Sequence, residues 1–204
     1  MSRLIGFFSA FLLLIGLAIP AQAAVTVTFW SHEFGNSFPH AFVSVRGVPD
    51  AGGPAVDTTY GFTARTISPA ILFGAVPGRV EPLKPSYIAS SDAQFSMVLT
   101  DAQYNQLLAL VSGWSEKTGD ATYRLNGRNC VHFVKEAARA VGLSRLDYPK
   151  LMKKPRSYLL AVQAANAARV TKINQNGKAY LATLPPLASP ALMPAPARGL
   201  APAP

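Results

Sequence analysis

One cysteine and three histidines are the residues of this chain whose types and positions point most directly to a reaction. The cysteine, Cys130, lies in the segment GRNCVHFV of residues 127–134, where a turn-forming run is followed by apolar residues at helical spacing. Gly142 stands where a left-handed residue would end that helix. Unpaired backbone N–H groups and the helix dipole stabilise negative charge at a helix start. We therefore predict that Cys130 is a nucleophilic thiol of lowered pKa in the first turn of a helix.

His40 is the candidate base for this thiol. It opens the most strand-like stretch of the sequence, HAFVSV, in residues 40–45. We predict that His40 and Cys130 form the dyad of a cysteine hydrolase, with the imidazole on a strand and the thiol at a helix start. His32, eight residues earlier, is the rival base or a third member of the site. His132 lies two positions from the cysteine, roughly 200° around a helix axis, so it is predicted to face away from the same cleft.

The cysteine also fits a simpler interpretation. A lone cysteine is among the residue types most often buried, and it commonly acts as a small apolar side chain. With one cysteine, an exported chain cannot form an internal disulfide, so the thiol of Cys130 is either buried and inert or kept for chemistry. The histidines and the cysteine follow no recognised metal-ligand spacing, such as HExxH or CxxC, and we predict no metal and no cofactor.

The two ends of the chain have compositions that set them apart from a folded domain. Residues 1–23 combine a basic start, an apolar core and the sequence AQA, which is typical of a cleavable signal peptide and predicts a periplasmic or secreted protein. An uncleaved membrane anchor is the alternative, but the apolar run is short for a spanning helix. Residues 184–204 are rich in Pro and Ala and are predicted to be a disordered tail, which leaves residues 24–183 as one domain.

The charge balance bears on the kind of partner. The formal net charge of +9 favours an anionic partner, such as a cell-wall polymer, lipid headgroups or nucleic acid. We expect no nucleic acid, because the basic residues form no motif-bearing block. One local cluster consists of Lys150, Lys153, Lys154 and Arg156. We interpret it as a solvated loop and helix start, and a peripheral contact with an anionic surface is the alternative.

Short strands and amphipathic helices are predicted to position these residues. Alternating apolar and polar residues predict strands, at residues 25–30, 40–45, 56–63 and 94–99. Thr100 and Gln103 form a capping box that predicts the start of a helix. Pro and Gly residues in 64–90 predict an ordered loop, and the Asn176 and Gly177 pair predicts a hairpin turn. These elements predict an α+β fold, with an antiparallel sheet of about four to six strands and helices packed on one side.

Taken together, the histidine strand and the cysteine helix resemble a known family. A strand ending in Trp30, the sequence FPHAFV around His40 and the sequence NCVHF around Cys130 resemble the circularly permuted NlpC-like papain-fold hydrolases. That group includes the lecithin:retinol acyltransferase relatives and many exported bacterial proteins. In it the catalytic His precedes the Cys, as His40 precedes Cys130. The resemblance covers residues 25–145, and it implies a permuted papain-like hydrolase domain with Cys130 as nucleophile and His40 as base.

The resemblance also implies a third polar residue, which orients the imidazole and usually comes from the strand after the histidine strand. The corresponding stretch here is DTTYGF, residues 57–62, and it contains no histidine. Thr59 and Asp57 are both candidates, and the sequence does not choose between them.

The reaction expected of such a dyad is attack of the Cys130 thiolate on an amide or ester carbonyl, giving an acyl-enzyme that water or another acceptor resolves. The backbone N–H of Cys130 is the expected contributor to an oxyanion hole. A cell-wall peptide is the expected substrate, which would make the protein an amidase or endopeptidase. The alternatives are a lipid acyl hydrolase or acyltransferase, or an inactive exported binding domain of the same fold. The sequence indicates no oligomeric state.

Overall fold

The computed structural model describes residues 24–33 and 38–187. The predicted signal peptide, residues 34–37 and the predicted tail after residue 187 lie outside the described residues. The strands are β1 (Val25–His32), β2 (His40–Gly47), β3 (Val56–Ala64), β4 (Ala75–Glu81), β5 (Asp92–Leu99), β6 (Thr122–Arg124) and β7 (Thr171–Asn176). The helices are α1 (Ala70–Phe73), α2 (Pro85–Ala89), α3 (Asp101–Trp114), α4 (Cys130–Ala140), α5 (Pro155–Ala165) and α6 (Gly177–Leu181), with a 3₁₀ turn at Pro149–Leu151.

The described strands form an antiparallel sheet in the order β6-β4-β3-β2-β1-β5-β7. The longest pairings are those of β1, which has β2 on one side and β5 on the other. The structure therefore confirms an α+β fold with helices packed on an antiparallel sheet. The sheet has seven strands rather than the predicted four to six, because part of the loop predicted at residues 64–90 forms β4.

Alternation along β1 and β2 sends one set of side chains into the main core. Val27 and Phe29 of β1 and Val43 and Val45 of β2 are fully buried, on the face that α4 and α5 cover. We call this the inner face of the sheet. Burial of each such side chain contributes roughly 1.5–3 kcal/mol, so this apolar layer holds α4 firmly against β2.

The opposite, outer face of the sheet has a smaller apolar cluster of its own. Trp30, Phe42 and Ala93 are buried there, and Tyr87 of α2 and Tyr180 of α6 pack against them. The prediction of helices on one side only is therefore wrong. The physical reason is that the alternate positions of the central strands are also large and apolar, so the second face needs a cover as well.

The Asn176 and Gly177 pair does not form the predicted hairpin turn. β7 ends at Asn176 and α6 begins at Gly177, and the Asn176 side chain accepts from the backbone N–H of Lys178 at 3.1 Å. Gly177 donates its N–H to the Ser91 carbonyl at 2.6 Å, and a Cβ there would lie 2.1 Å from the Ile88 carbonyl oxygen. Close packing against α2 therefore requires glycine at this position, and Asn176 serves as a helix cap.

The pairing of β2 with β3 reaches neither the N-terminal end of β2 nor the C-terminal end of β3. Their ladder ends at Val43 and Tyr60, and residues 61–64 of β3 pair with β4 instead. Residues 40–42 of β2 are therefore paired with β1 alone. We call the region between these two strand ends the β2–β3 opening. Backbone groups that face it lack a partner in the neighbouring strand, so they can bond other groups.

Candidate functional site

Local hydrogen bonds fix Cys130 as the first residue of α4. The preceding residue, Asn129, is the N-cap, and its Oδ1 accepts from the backbone N–H groups of Val131 at 2.8 Å and His132 at 3.1 Å. Gly142 follows the helix with a φ of 84°, as expected for the left-handed residue that the sequence predicts there. The predicted position of the thiol in the first turn of a helix is confirmed.

Asn129 also ties α4 to two loops. Its Nδ2 donates to the carbonyls of Leu125 and Met152, each at 2.8 Å, and its side chain is buried. Both donors of this amide are therefore used to hold the loop after β6 and the loop before α5 beside Cys130. Sequence reasoning singled out the cysteine and missed this role of its neighbour, although Asn before a helical segment is a recognisable capping signal.

The sulfur of Cys130 lies against the start of β2. The side chain is only 8% exposed, and the backbone of Ala41 hydrogen-bonds to the sulfur, as do the backbone groups of Val131 and of Cys130 itself. These bonds favour the thiolate, but desolvation by burial is the larger effect and raises the pKa of Cys130 to about 11. The helix start favours the thiolate, but the net pKa is raised, so the sequence-based expectation of a lowered pKa is wrong.

His40 lies at the first position of β2, with its ring on the outer face. The ring packs on Phe42 and Tyr87, with centroid distances of 6.1 and 6.4 Å. Its Nε2 lies 2.9 Å from the point where a Cβ on Gly61 would be, so the ring occupies space that this glycine leaves open. Burial, and to a lesser degree the charge of His32, its cross-strand partner, lower the pKa of His40 to about 4.

The two predicted catalytic residues border the same opening from different faces of the sheet. Ala41, whose backbone bonds the Cys130 sulfur, directly follows His40 in β2. The thiol belongs to the inner-face core, whereas the imidazole packs on the outer face. In the described part of the chain no hydrogen bond joins the ring to the sulfur. The dyad therefore stays a prediction, and a rotation of the His40 side chain into the opening is the movement it requires.

Both groups are neutral at pH 7 in this arrangement. The pKa of the thiol is about 11 and that of the imidazole about 4, so about seven pH units (11 minus 4) separate them. Proton transfer from sulfur to imidazole is unfavourable across such a difference. Contact between the two groups would reduce it, because an opposite charge within about 4–6 Å favours the charged form of each partner.

The other two histidines have partners elsewhere. Nδ1 of His132 accepts from the backbone N–H of Asn129 at 3.4 Å, which completes the capping box of α4. Nδ1 of His32 lies 3.1 Å from the Ser91 hydroxyl, and its ring stacks on Tyr87 at 4.3 Å between centroids. His32 is thus a neighbour of the candidate base on the outer face, and His132 supports the helix start.

Neither candidate for the third polar role hydrogen-bonds to His40. The Thr59 hydroxyl accepts from the backbone N–H of Leu83 at 2.7 Å. Asp57 is paired with Arg46 toward the other end of β3. Within the described residues, ring packing rather than a polar partner orients the imidazole.

Tyr123 of β6 is a neighbour of the thiol that sequence reasoning missed. Burial raises its pKa to about 12, and the negative charge of a Cys130 thiolate contributes to the rise. The phenol is therefore neutral at pH 7. It offers a neutral O–H beside the sulfur rather than a second negative charge.

Comparisons with known proteins find no matching family model, no matching curated protein and no matching solved structure. The resemblance to the permuted papain-fold hydrolases therefore rests on the sequence motifs alone. Among residues 24–33 and 38–187, no helix combines the length and the apolar character needed to cross a membrane. The same residues contain no group of three or more His, Cys, Asp or Glu side chains arranged to hold a metal ion.

Replacing Gly61 with alanine is expected to move the His40 ring without unfolding the protein. The added Cβ would lie 2.9 Å from Nε2, which is too close, and the end of the imidazole can shift. Displacement toward solvent removes part of the desolvation, so the pKa of His40 should rise from about 4 toward its ordinary 6.5. An NMR titration of His40 measures this change, and the free energy of unfolding should change by less than about 1 kcal/mol.

Gly113→Ala in α3 is the matched control, because nothing lies within 4 Å of the Cβ that it adds. It should leave the pKa of His40 unchanged. Since alanine favours a helix over glycine, it should also stabilise the protein by up to about 1 kcal/mol. An unchanged His40 titration in Gly61→Ala would contradict the packing of the ring against this glycine.

Stability is expected to fall on both sides of a plateau between pH 6.5 and pH 9. The pKa of His40 is lowered from 6.5 to about 4 on folding, so the unfolded chain binds the proton first and stability decreases as the pH falls through this window. The pKa of Cys130 is raised from 9.0 to about 11, so the unfolded chain loses its proton first and stability decreases as the pH rises from 9 toward 11.

Urea unfolding between pH 4 and pH 11 measures these two limbs. His40→Gln should flatten the acid limb, and Cys130→Ala should flatten the alkaline limb. Because other groups also titrate, the informative quantity is the difference between each variant and the wild type at each pH. A difference that does not vary with pH for either variant would show that the two groups are not desolvated in the folded protein.

Proposed function

We propose that this protein is an exported cysteine hydrolase that uses Cys130 and His40 to cleave an amide or ester bond through an acyl-enzyme. One observation carries the proposal: the backbone of Ala41, the residue after His40, bonds the Cys130 sulfur at the β2–β3 opening. A helix start that carries a thiol and a strand start that carries an imidazole therefore share one location. The permuted papain-like fold implied by the sequence motifs belongs to the same proposal, and the packing of α4 against β2 supports it.

In the proposed reaction the His40 side chain turns into the opening and meets the sulfur. The imidazole takes the thiol proton, and an electron pair of the resulting thiolate forms a bond to the carbonyl carbon. The oxyanion that forms collapses and expels the amine or alcohol, which takes the proton from the imidazolium. Water, deprotonated by His40, then attacks the thioester carbonyl, and the acid and the free thiol are released.

Backbone N–H groups around the sulfur are the proposed oxyanion donors. Ala41, Cys130 and Val131 all direct backbone groups at the resting sulfur. The N–H of Val131 already donates to Oδ1 of Asn129 at 2.8 Å. The N–H groups of Ala41 and Cys130 are therefore the better candidates, and the second of these is the donor expected from the sequence.

The neutral resting pair fits a site that becomes reactive when substrate is bound. Desolvation is the larger cause of both pKa shifts, and it opposes charge only while each group lacks an opposite charge nearby. The ring of His40 is held by its contacts with Phe42 and Tyr87, which contribute about 0.5–1.5 kcal/mol each. A bound substrate that displaces the ring from these contacts would move it toward the sulfur.

The proposed substrate is a peptide amide of the cell wall, and the proposed location is the periplasm or the exterior. The signal peptide predicted from residues 1–23 supports export, and cell-wall peptide is the amide that such a compartment offers in quantity. A lipid ester is the second candidate substrate. It is favoured by Phe38, which lies two residues before His40 and is 67% exposed, because an exposed aromatic side chain beside the site suits an apolar group.

Direct observation of the acyl-enzyme tests the proposal. The full chain is incubated with p-nitrophenyl acetate, and intact-mass spectrometry measures acetylation of Cys130. We expect an adduct that is absent in Cys130→Ala and that forms at least about tenfold more slowly in His40→Ala. A wild-type chain that leaves Cys130 unmodified would argue against a nucleophilic role.

A non-catalytic exported binding domain is the second candidate function. It is favoured by the absence, among the described residues, of a polar partner that orients His40, and by the raised pKa of the thiol. Labelling of Cys130 by iodoacetamide at pH 7 separates the two functions. In an inactive domain the labelling rate is unchanged by His40→Ala, whereas in the proposed enzyme it falls when the imidazole is removed.

A further inference from the structure

A cavity of about 170 Å³ lies between the start of α5 and two residues at the ends of neighbouring strands. Glu33, directly after β1, and Pro39, directly before β2, line one side, and Lys153, Lys154 and Arg156 line the other. Pro39 directly precedes the candidate base in the chain. The cavity therefore adjoins the strand start that carries the proposed imidazole.

The opposite wall of this cavity is connected to the cysteine helix. Met152, the residue before Lys153, accepts a hydrogen bond from Nδ2 of Asn129 at 2.8 Å. Asn129 in turn directly precedes Cys130 and is buried. The basic loop is thus held at the N-terminal end of α4 by the same amide that caps the helix. A cluster that the sequence suggests is only a solvated loop thus shares a cavity with the residue before His40 and is held by the residue before Cys130.

The lining of the cavity is positively charged. Three cations face one carboxylate, that of Glu33. The ion pairs formed among the described residues do not include Lys153, Lys154 or Arg156, although most of the arginines of the folded domain are paired. α5 also begins here without a side-chain cap, so the positive end of its dipole adds to the local potential. An anion that enters the cavity would therefore meet a lining with more positive than negative charge.

We propose that this cavity, lined by Lys153, Lys154 and Arg156, is a subsite for the carboxylate of a peptide substrate, next to the amide bond that Cys130 attacks. This inference rests on the proposed function and adds to it the requirement for a free carboxylate beside the cleaved bond of the peptide. Arginine binds a carboxylate through two parallel N–H groups, and lysine binds it as a point charge. The subsite would select a peptide with a free carboxylate beside the cleaved bond over its amidated counterpart.

Size and lining favour a peptide carboxylate over a phospholipid. Pockets for drug-sized ligands measure roughly 300–1,000 Å³, whereas this cavity measures about 170 Å³ and has room for one small group. Its apolar lining residues are Pro39 and Pro155, which leave little surface for an acyl chain. A single compact anion therefore fits the cavity better than a lipid tail with its headgroup.

Alkylation of Cys130 by two reagents of different charge tests the subsite without any turnover. Iodoacetate carries a carboxylate, iodoacetamide is neutral and nearly the same size, and in both reactions the thiolate displaces iodide to form a thioether. We expect the ratio of the iodoacetate to the iodoacetamide rate constant to be higher for Cys130 than for a free model thiol. It should fall about three- to tenfold in K153Q/K154Q/R156Q, because an exposed charge pair contributes a modest factor and three are removed.

Two controls accompany this measurement. K172Q/K178Q removes exposed lysines of α6 and of β7, the edge strand separated from β2 by β1 and β5, and neither lysine lines the cavity, so the ratio should stay unchanged. The wild-type preference for iodoacetate should also shrink between low salt and about 0.5 M salt, as screening shortens the range of the charges. A wild-type ratio equal to that of the model thiol, a ratio unaffected by the cavity variant, or no reaction of Cys130 with either reagent would overturn the proposal.

Binding measurements identify the source of the anion. We expect acetyl-Glu-Ala to perturb the NMR signals of Lys153 to Ser157. The C-amidated peptide with glutamine in place of glutamate should not perturb them. The effect of acetyl-Glu-Ala should be lost in K153Q/K154Q/R156Q. Binding to phosphatidylglycerol vesicles but not to the peptide, lost in the same variant, would overturn the peptide assignment in favour of a lipid phosphate. A retained iodoacetate preference in a chain that forms no acyl-enzyme would refute the proposed function while supporting the anion subsite, so the two proposals fail separately.

Discussion

Hydrolysis is expected to fall about 10⁴- to 10⁶-fold in kcat when Cys130 is replaced with alanine, because no other group in the variant forms the acyl-enzyme. The substitution removes only the buried sulfur atom, which is a small change in volume, so the variant should fold. Circular dichroism and the urea midpoint verify folding, and the initial rate of ester or peptide hydrolysis measures the loss. Activity within about tenfold of the wild type would place the chemistry elsewhere in the chain.

A comparison of two histidine variants identifies the base. His40→Ala should lower kcat about 10²- to 10⁴-fold, the usual contribution of a general base. His32→Ala should have a much smaller effect, because the His32 ring stacks on Tyr87 and its Nδ1 is 3.1 Å from the Ser91 hydroxyl. The reverse order of effects would make His32 the base. Loss of the acid limb from the pH dependence of kcat/KM in His40→Ala would confirm its titration in the free enzyme.

Asn129→Ala is expected to destabilise the protein by about 3 kcal/mol, the largest effect on stability that we expect of a single polar substitution near the site. The loss of the helix cap costs about 1 kcal/mol. The two hydrogen bonds from Nδ2 to the carbonyls of Leu125 and Met152 each contribute about 1 kcal/mol more. Urea unfolding measures the total. The variant should also lose hydrolytic activity, because the start of α4 that carries Cys130 is no longer held.

Two further variants separate capping from anchoring. Asn129→Asp keeps the acceptor for the N–H groups of Val131 and His132 and loses both donors. Thr100→Ala removes the cap of α3, where the Thr100 hydroxyl accepts from Gln103 at 3.2 Å and holds no distant loop, and should cost only about 1 kcal/mol. If Asn129→Ala lowered the free energy of unfolding no more than Thr100→Ala does, the two loop contacts would make no net contribution to stability.

Capping signals predicted the helix starts well where the capping residues themselves make the decisive contacts. The Thr100 and Gln103 capping box is present as predicted, with the Gln103 side chain accepting from the Thr100 N–H at 2.9 Å. Asn129 caps α4 in the same manner. Such contacts join residues three or four apart, so they form whatever the rest of the chain does. The strands of the central sheet were predictable for a similar reason, since alternation is a property of each segment alone.

Where a sequence signal is compatible with two local structures, tertiary packing decides between them. Asn176 and Gly177 are compatible with a hairpin turn and with a helix cap, and the close approach of Gly177 to the Ile88 carbonyl selects the second. Prolines in residues 64–90 exclude a long helix, yet Pro77 is tolerated in β4 beside the short strand β6. A loop was therefore predicted where the structure has a strand and two short helices.

The pKa of Cys130 shows most clearly the limit of local reasoning. The helix start and three backbone hydrogen bonds favour the thiolate, as the sequence suggests, but burial between α4 and β2 outweighs them. Desolvation depends on every element that surrounds a group, and no single segment of sequence encodes it.

The sequence by itself determined that Cys130 begins a helix and that His40 begins a strand, because caps and alternation act between near neighbours. Only the tertiary structure decided that these two residues border the same opening and that their side chains occupy different faces of the sheet. It also decided that the basic loop at Lys153 is held by the residue before Cys130. These relations depend on strand register, on where β3 leaves β2 and on how Asn129 ties distant loops together. All of them join residues far apart in the chain, which periodicity and spacing do not specify.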